Sequence, residues 1–173
     1  MKKIVIVLMV LLVGCSEAKT ETDINMVRSG VLHGYETTTI GKAFEASFFA
    51  WEWTEFEDDK GRRIVEFNGK LTTAIHDAFK AWAIENLSGP ELFELASAYG
   101  HQLPPELDDL NRLPEAIDWA LETVWQDGTD FTAQFAILVN PGIMGRTRFD
   151  IVGMEVAFKP MTDHGLMLSW IYQ

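Results

Sequence analysis

His33, His76, His101 and His164 are the side chains of this chain best suited to acid–base work or zinc ligation. No two of them stand four apart on one helix. Neither an H-E-x-x-H pattern nor a His/Cys cluster occurs, so a zinc site lacks the spacing it needs. His76 and Asp77 open an amphipathic segment and are expected on its exposed edge, where they would form a base only with a nucleophile beside them. Ser29, Ser47, Ser88, Ser97 and Ser169 lie outside any Gly-x-Ser-x-Gly elbow. The glycines are scattered rather than gathered into a phosphate-binding loop. Glu106, Asp108 and Asp109 follow Pro104-Pro105 and offer oxygen ligands to a hard cation, but without the spaced carboxylates and glycine of a calcium loop. Asp58 and Asp59 read as turn residues, whose side chains bond their own backbone, before they read as metal ligands. These patterns call for no cofactor, no metal and no catalytic set.

Charge is the stronger signal. The chain holds 26 Asp+Glu against 14 Lys+Arg, and eleven of the acids lie between Glu85 and Asp130, where Arg112 is the single cation. A net charge of −10 over that segment repels nucleic acid and anionic headgroups and admits a basic partner or divalent cations. Within it, Trp119 falls off the Ile117-Ala120-Leu121-Val124 stripe and beside Glu115, Asp118 and Glu122. An aromatic ring among carboxylates is the kind of group that anchors an interface, so Glu115, Asp118, Trp119 and Glu122 form the candidate interaction surface.

The beginning of the chain speaks to location. Lys2 and Lys3 precede ten apolar residues from Ile4 to Val13, and ten residues of helix span only about 15 Å, half of a bilayer's hydrocarbon core. Such a segment reads as a secretory signal peptide. Leu12-Val13-Gly14-Cys15 resembles the lipobox of bacterial lipoproteins. The resemblance implies a thioether-linked diacylglycerol on Cys15, cleavage after Gly14 and acylation of the new amino terminus, two or more chains giving a firm anchor. Ser16 in place of Asp implies, by the same analogy, the outer membrane facing the periplasm. Cleavage would leave a net charge of −14 and no thiol for a disulfide. Residues 15–25 are polar and unpatterned, and read as a flexible tether; residues 26–173 suit a single domain.

The elements that must position any site follow from periodicity. Residues 26–34 form a lead-in with turns at Gly30 and Gly34. Ile40, Ala43, Phe44, Ser47 and Phe48 repeat at helical spacing behind three threonines, one of which can cap the first amides. Residues 51–57 and 62–68 are extended and joined by Asp58-Asp59-Lys60-Gly61, a hairpin signal. Residues 73–87, 91–99 and 114–125 read as helices, and together 72–126 form an acidic helical insertion after the second strand. Strands are expected over 131–139 and 148–158, with a turn at Asn140-Pro141-Gly142. In the second of these, strict alternation would send Val152, Met154, Val156 and Phe158 to the core. The apolar run 166–172 suits either strand or helix. Six tryptophans fall across all these layers, and core packing accounts for most of them.

The stretches Gly34-Tyr35-x-Thr37-Thr38-Thr39-Ile40-Gly41-Lys42-Ala43-Phe44, Trp53-Thr54-Glu55-Phe56 and Gly61-Arg62-Arg63-Ile64-Val65-Glu66-Phe67-Asn68-Gly69 resemble a family of small secreted or lipid-anchored bacterial α+β domains of unassigned function. The resemblance covers residues 30–70 and implies a fold and an envelope location, without catalytic residues. The expected class is α+β, an antiparallel sheet of four or five strands packed against helices. The expected task is a non-enzymatic binding or interaction module in the cell envelope, held to the membrane by its lipid and facing an envelope protein with a basic surface. The alternative is an inhibitor or exclusion lipoprotein directed at a cationic enzyme or an incoming phage or plasmid factor.

Overall fold

The computed structural model describes residues 22–98, 100–102, 104–107, 112–138 and 149–173. Cys15 and the leader, Tyr99, Asp108, Asp109 and the turn at Asn140-Pro141-Gly142 lie outside the described residues. The architecture is α+β: five antiparallel strands, each beside its neighbour in chain order, with helices against one face.

Helix α1 (Asp23–Ser29) occupies part of the expected tether. Thr22 caps it by accepting from the Asn25 amide, and Val27 is fully buried. The apolar residues Ile24 and Val27, three apart, are enough to dock one short face, which a reading based on polarity alone passes over. Helix α2 (Ile40–Ser47) is capped by Thr39, whose hydroxyl accepts from the Lys42 amide at 3.4 Å. It stops one residue before the helical pattern does, because Phe48 already pairs with Leu71. The part-buried end of α2 is tied to the start of one later helix and the end of another. Thr72 Oγ1 donates to the Ser47 carbonyl at 2.8 Å, and Ser47 Oγ donates to the Ile171 carbonyl at 2.9 Å.

Strands β1 (Phe48–Glu57) and β2 (Arg63–Leu71) form the expected hairpin. Asp58 directs its turn by accepting from the Lys60 and Arg62 amides and from Arg62 Nε, and Gly61 supplies the left-handed residue at φ +73°. The insertion α3 (Thr73–Asn86), α4 (Gly89–Ala98) and α5 (Leu113–Val124) follows, with a 3-10 turn at Pro105–Leu107. The chain then returns to where it left. Leu71 donates to the Thr129 carbonyl at 2.9 Å and accepts from the Gly128 amide at 3.0 Å. Strand β3 (Asp130–Ile137) consequently pairs with β2 as though the insertion were a hairpin loop.

The insertion is no separate lobe. Phe79, Leu121 and Trp125 belong to the same apolar core as the sheet residues Phe67, Phe131 and Phe135. At the centre of that core, Phe44 has no exposed surface and meets the rings of Phe48, Trp53, Phe67, Phe131 and Phe135 at centroid distances of 5.2–6.3 Å.

Strand β4 (Phe149–Val156) departs from simple alternation. Gln134 faces Gly153 whereas Phe135 faces Ile151, so Val152 is an extra residue with no partner on β3. This β-bulge inverts the phase. Phe149 and Ile151 point inward before it, Met154 and Val156 after it, and Val152 is left 39% exposed. Phe158 is outside too, 76% exposed, in the two-residue turn Ala157-Phe158 that leads into β5 (Lys159–Pro160). The last apolar run is a helix, α6 (His164–Ile171), capped by Asp163.

Candidate functional site

The middle of the sheet face opposite the helices carries a polar ladder, while Phe49, Phe56 and Val152 leave exposed apolar surface elsewhere on the sheet. Asn68 donates to Glu66, Thr132 donates to Asn68, and Gln134 donates to the second oxygen of Glu66, all within 2.7–2.8 Å. These groups satisfy one another, which is what a solvated face of an antiparallel sheet requires. Nothing in the ladder is left over for chemistry.

The four residues expected to form an interaction surface are placed differently from one another. Glu115 and Glu122 are exposed on α5. Asp118 is half-buried and ion-pairs with Lys80 of α3; that carboxylate, as hydrogen-bond acceptor and opposite charge, holds the Lys80 ammonium above its ordinary pKa. Trp119 is not the exposed aromatic that its position off the stripe implies: it is half-buried and packed on the core. Helix α5 lies against both α3 and α4, so its covered arc is wider than a single stripe. His76, expected on an exposed edge, has a side chain only 21% exposed, with Nδ1 3.6 Å from Asp77. Among the described residues no group of three or more His, Cys, Asp or Glu is arranged to hold a metal ion.

The tryptophans that do come together are Trp82 on α3, Trp125 just after α5 and Trp170 on α6. With Phe79 they form a four-ring cluster, with centroids 4.1 Å apart for Phe79–Trp125 and 5.4–6.4 Å for the other contacts. The Trp125 indole N–H is buried and finds no acceptor among the described residues. The cluster floors a cleft of about 460 Å³, a volume within the usual range of ligand sites. Leu87 and Leu95 from the insertion form one wall, and Met161 and Leu166 from the β5–α6 connection and α6 form the other.

Its rim is charged and held in shape. Glu91 accepts from both the amide and the hydroxyl of Ser88, which keep its carboxyl below the usual range. Asp163 accepts from the Leu166 amide as the cap of α6. Glu94 and Lys159 also line the cleft. Three carboxylates against one ammonium give the rim a net charge of −2.

Residues 79, 125 and 170 are far apart in the chain, and no local pattern connects them. The signal available was the count of six tryptophans, which says that rings are plentiful but not which of them meet.

Comparison of the chain with family models, curated proteins and solved structures returned no match. Among the described residues no helix is long and apolar enough to cross a membrane.

Proposed function

We propose that this chain is a lipid-anchored envelope lipoprotein that works as a binding module, using its acidic helical insertion to contact a basic protein. One observation carries the reading: the insertion's negative charge is displayed rather than neutralised. Glu85, Glu91, Glu94, Glu106, Glu115 and Glu122 are all exposed. Among the described residues the insertion's only ion pair with a lysine or arginine is Lys80–Asp118. Unpaired surface charge of one sign raises the encounter rate with an oppositely charged partner and makes binding sensitive to salt.

The anchor bears on geometry as well. Thr22, the cap of α1, is seven residue steps from Cys15, and an extended chain covers at most about 3.5 Å per step. Acylated Cys15 would therefore keep the start of α1 within about 25 Å of the bilayer surface, which favours a partner in the membrane or the layer beside it.

Deleting residues 72–126 would strip Phe79, Leu121 and Trp125 from the core, so the test uses charge instead. The full lipoprotein and a variant with Glu85→Gln, Glu94→Gln, Glu115→Gln and Glu122→Gln are each used to capture proteins from solubilised envelopes. A basic protein retained by the native chain at low salt, released by added salt and lost to the variant is the expected result. Equal capture of the same protein by both chains would overturn the proposal.

A further inference from the structure

We propose that the cleft between α3, α4 and α6 binds a small organic cation, a protonated or quaternary amine carrying a short apolar body. This goes beyond the protein partner proposed above and does not depend on it. The floor presents aromatic rings, and the π-face of an indole attracts a cation more strongly than that of any other side chain. Trp82, half-buried, is the ring of the cluster with open surface; Trp125 and Trp170 are 5% exposed and back it. Leu87, Leu95, Met161 and Leu166 supply apolar contact for the body of the ligand.

The rim decides the sign of the charge. Glu91 and Asp163 are fixed by hydrogen bonds from Ser88 and Leu166, so they hold their positions without reorganising when a ligand arrives. Glu94 has no partner among the described residues and is free to close on a cation, while Lys159 alone opposes it. An anion of the same shape would meet two excess negative charges. Two other clefts, about 370 Å³ beside Ser47 and Tyr172 and about 360 Å³ beside Arg28 and Lys42, each contain a lysine and lack the grouped tryptophans.

The test titrates the full folded domain with hexyltrimethylammonium, hexan-1-ol and hexanoate, following the six indole N–H resonances by NMR. The expected result is saturable binding of the cation that moves the Trp82, Trp125 and Trp170 resonances and leaves those of Trp51, Trp53 and Trp119 in place. The cation should bind about tenfold more tightly than hexanoate, with hexan-1-ol between them. Glu94→Gln should weaken the cation about threefold and leave hexan-1-ol unchanged. Trp82→Leu, checked for folding by circular dichroism, should abolish the preference for the cation over the alcohol. Equal affinity for hexanoate, shifts centred on Trp51, Trp53 or Trp119, or no saturable binding of the cation would each overturn the proposal. Capture of a basic envelope protein is a separate readout, so either idea can fail alone.

Discussion

Removing one residue from β4 distinguishes a bulged strand from a regular one. With Val152 present, the inward residues are Phe149, Ile151, Met154 and Val156, which are out of phase across the bulge. Deleting Val152 puts Gly153 directly after Ile151, and strict alternation then sends the same four side chains inward and Asp150, Gly153 and Glu155 outward. The partnerships of Phe149 with Ile137, Ile151 with Phe135, Met154 with Ala133 and Val156 with Phe131 all survive. Only the half-exposed Val152 is lost, so the cost should stay within about 1 kcal/mol, the scale of a surface change with a small adjustment of twist. Deleting Asp150 is the matched control. With Ile151 held inward, Phe149 takes the opposite phase and leaves a site where it is 3% exposed and 6.0 Å from the Phe135 ring. Losing a buried Phe and leaving its cavity costs about 3–5 kcal/mol, which for a domain of this size lowers Tm by roughly 6–20 °C. Thermal and urea unfolding followed by circular dichroism would measure both deletions. If removing Val152 destabilises the protein as much as removing Asp150, the phase inversion is wrong.

Four further outcomes follow from particular contacts. Ala157 and Phe158 form the β4–β5 turn with φ of +50° and +62°, a left-handed pair that costs each side chain about 1 kcal/mol or more; replacing them by Asn-Gly should stabilise the fold by about 1–2 kcal/mol, read from urea midpoints. A Cβ on Gly30 would lie 2.6 Å from the Phe149 ring, so Gly30→Ala should destabilise by about 1–3 kcal/mol through overpacking, whereas Gly34→Ala, with open space but φ +88°, should cost only its backbone strain, about 1–2 kcal/mol. Burial, aided by Tyr35, pushes the Tyr172 hydroxyl up to about 12; its folded pKa is above its unfolded one, so the stability it contributes is whole below pH 10 and is lost as pH rises towards 12, and an ultraviolet titration should lose that late step in Tyr172→Phe. Glu91 runs the other way: hydrogen bonds from the Ser88 hydroxyl and amide lower its pKa, so its cap is present above the ordinary glutamate value and lost as pH falls through the lowered one, and Ser88→Ala should bring the carboxyl resonance back towards the ordinary range in an NMR titration.

Much of the fold was legible because its signals are local. Thr39 before the Ile40–Phe44 face, Asp58-Asp59-Lys60-Gly61 between two extended runs, and the Ile75-Phe79-Ala83 stripe each combine a cap, a turn or a period that acts within a few residues. The helical insertion after the second strand was legible for the same reason. The places where the local reading fell short were settled by partners distant in sequence. Helix α2 ends at Ser47 because Phe48 finds Leu71. Trp119 is half-buried rather than exposed because α5 packs against both α3 and α4. The last apolar run is helical although its period is ambiguous, and its Trp170 faces Phe79.

The sequence by itself determined the class of fold, the hairpin, the caps and the acidity of the insertion, since these depend on neighbouring residues and on composition. The tertiary structure alone decided the phase of β4 and the meeting of Trp82, Trp125 and Trp170 on the floor of one cleft. A bulge depends on register against the facing strand, and an aromatic cluster depends on which helices pack together. Both are set by contacts across the core, which periodicity along the chain does not encode.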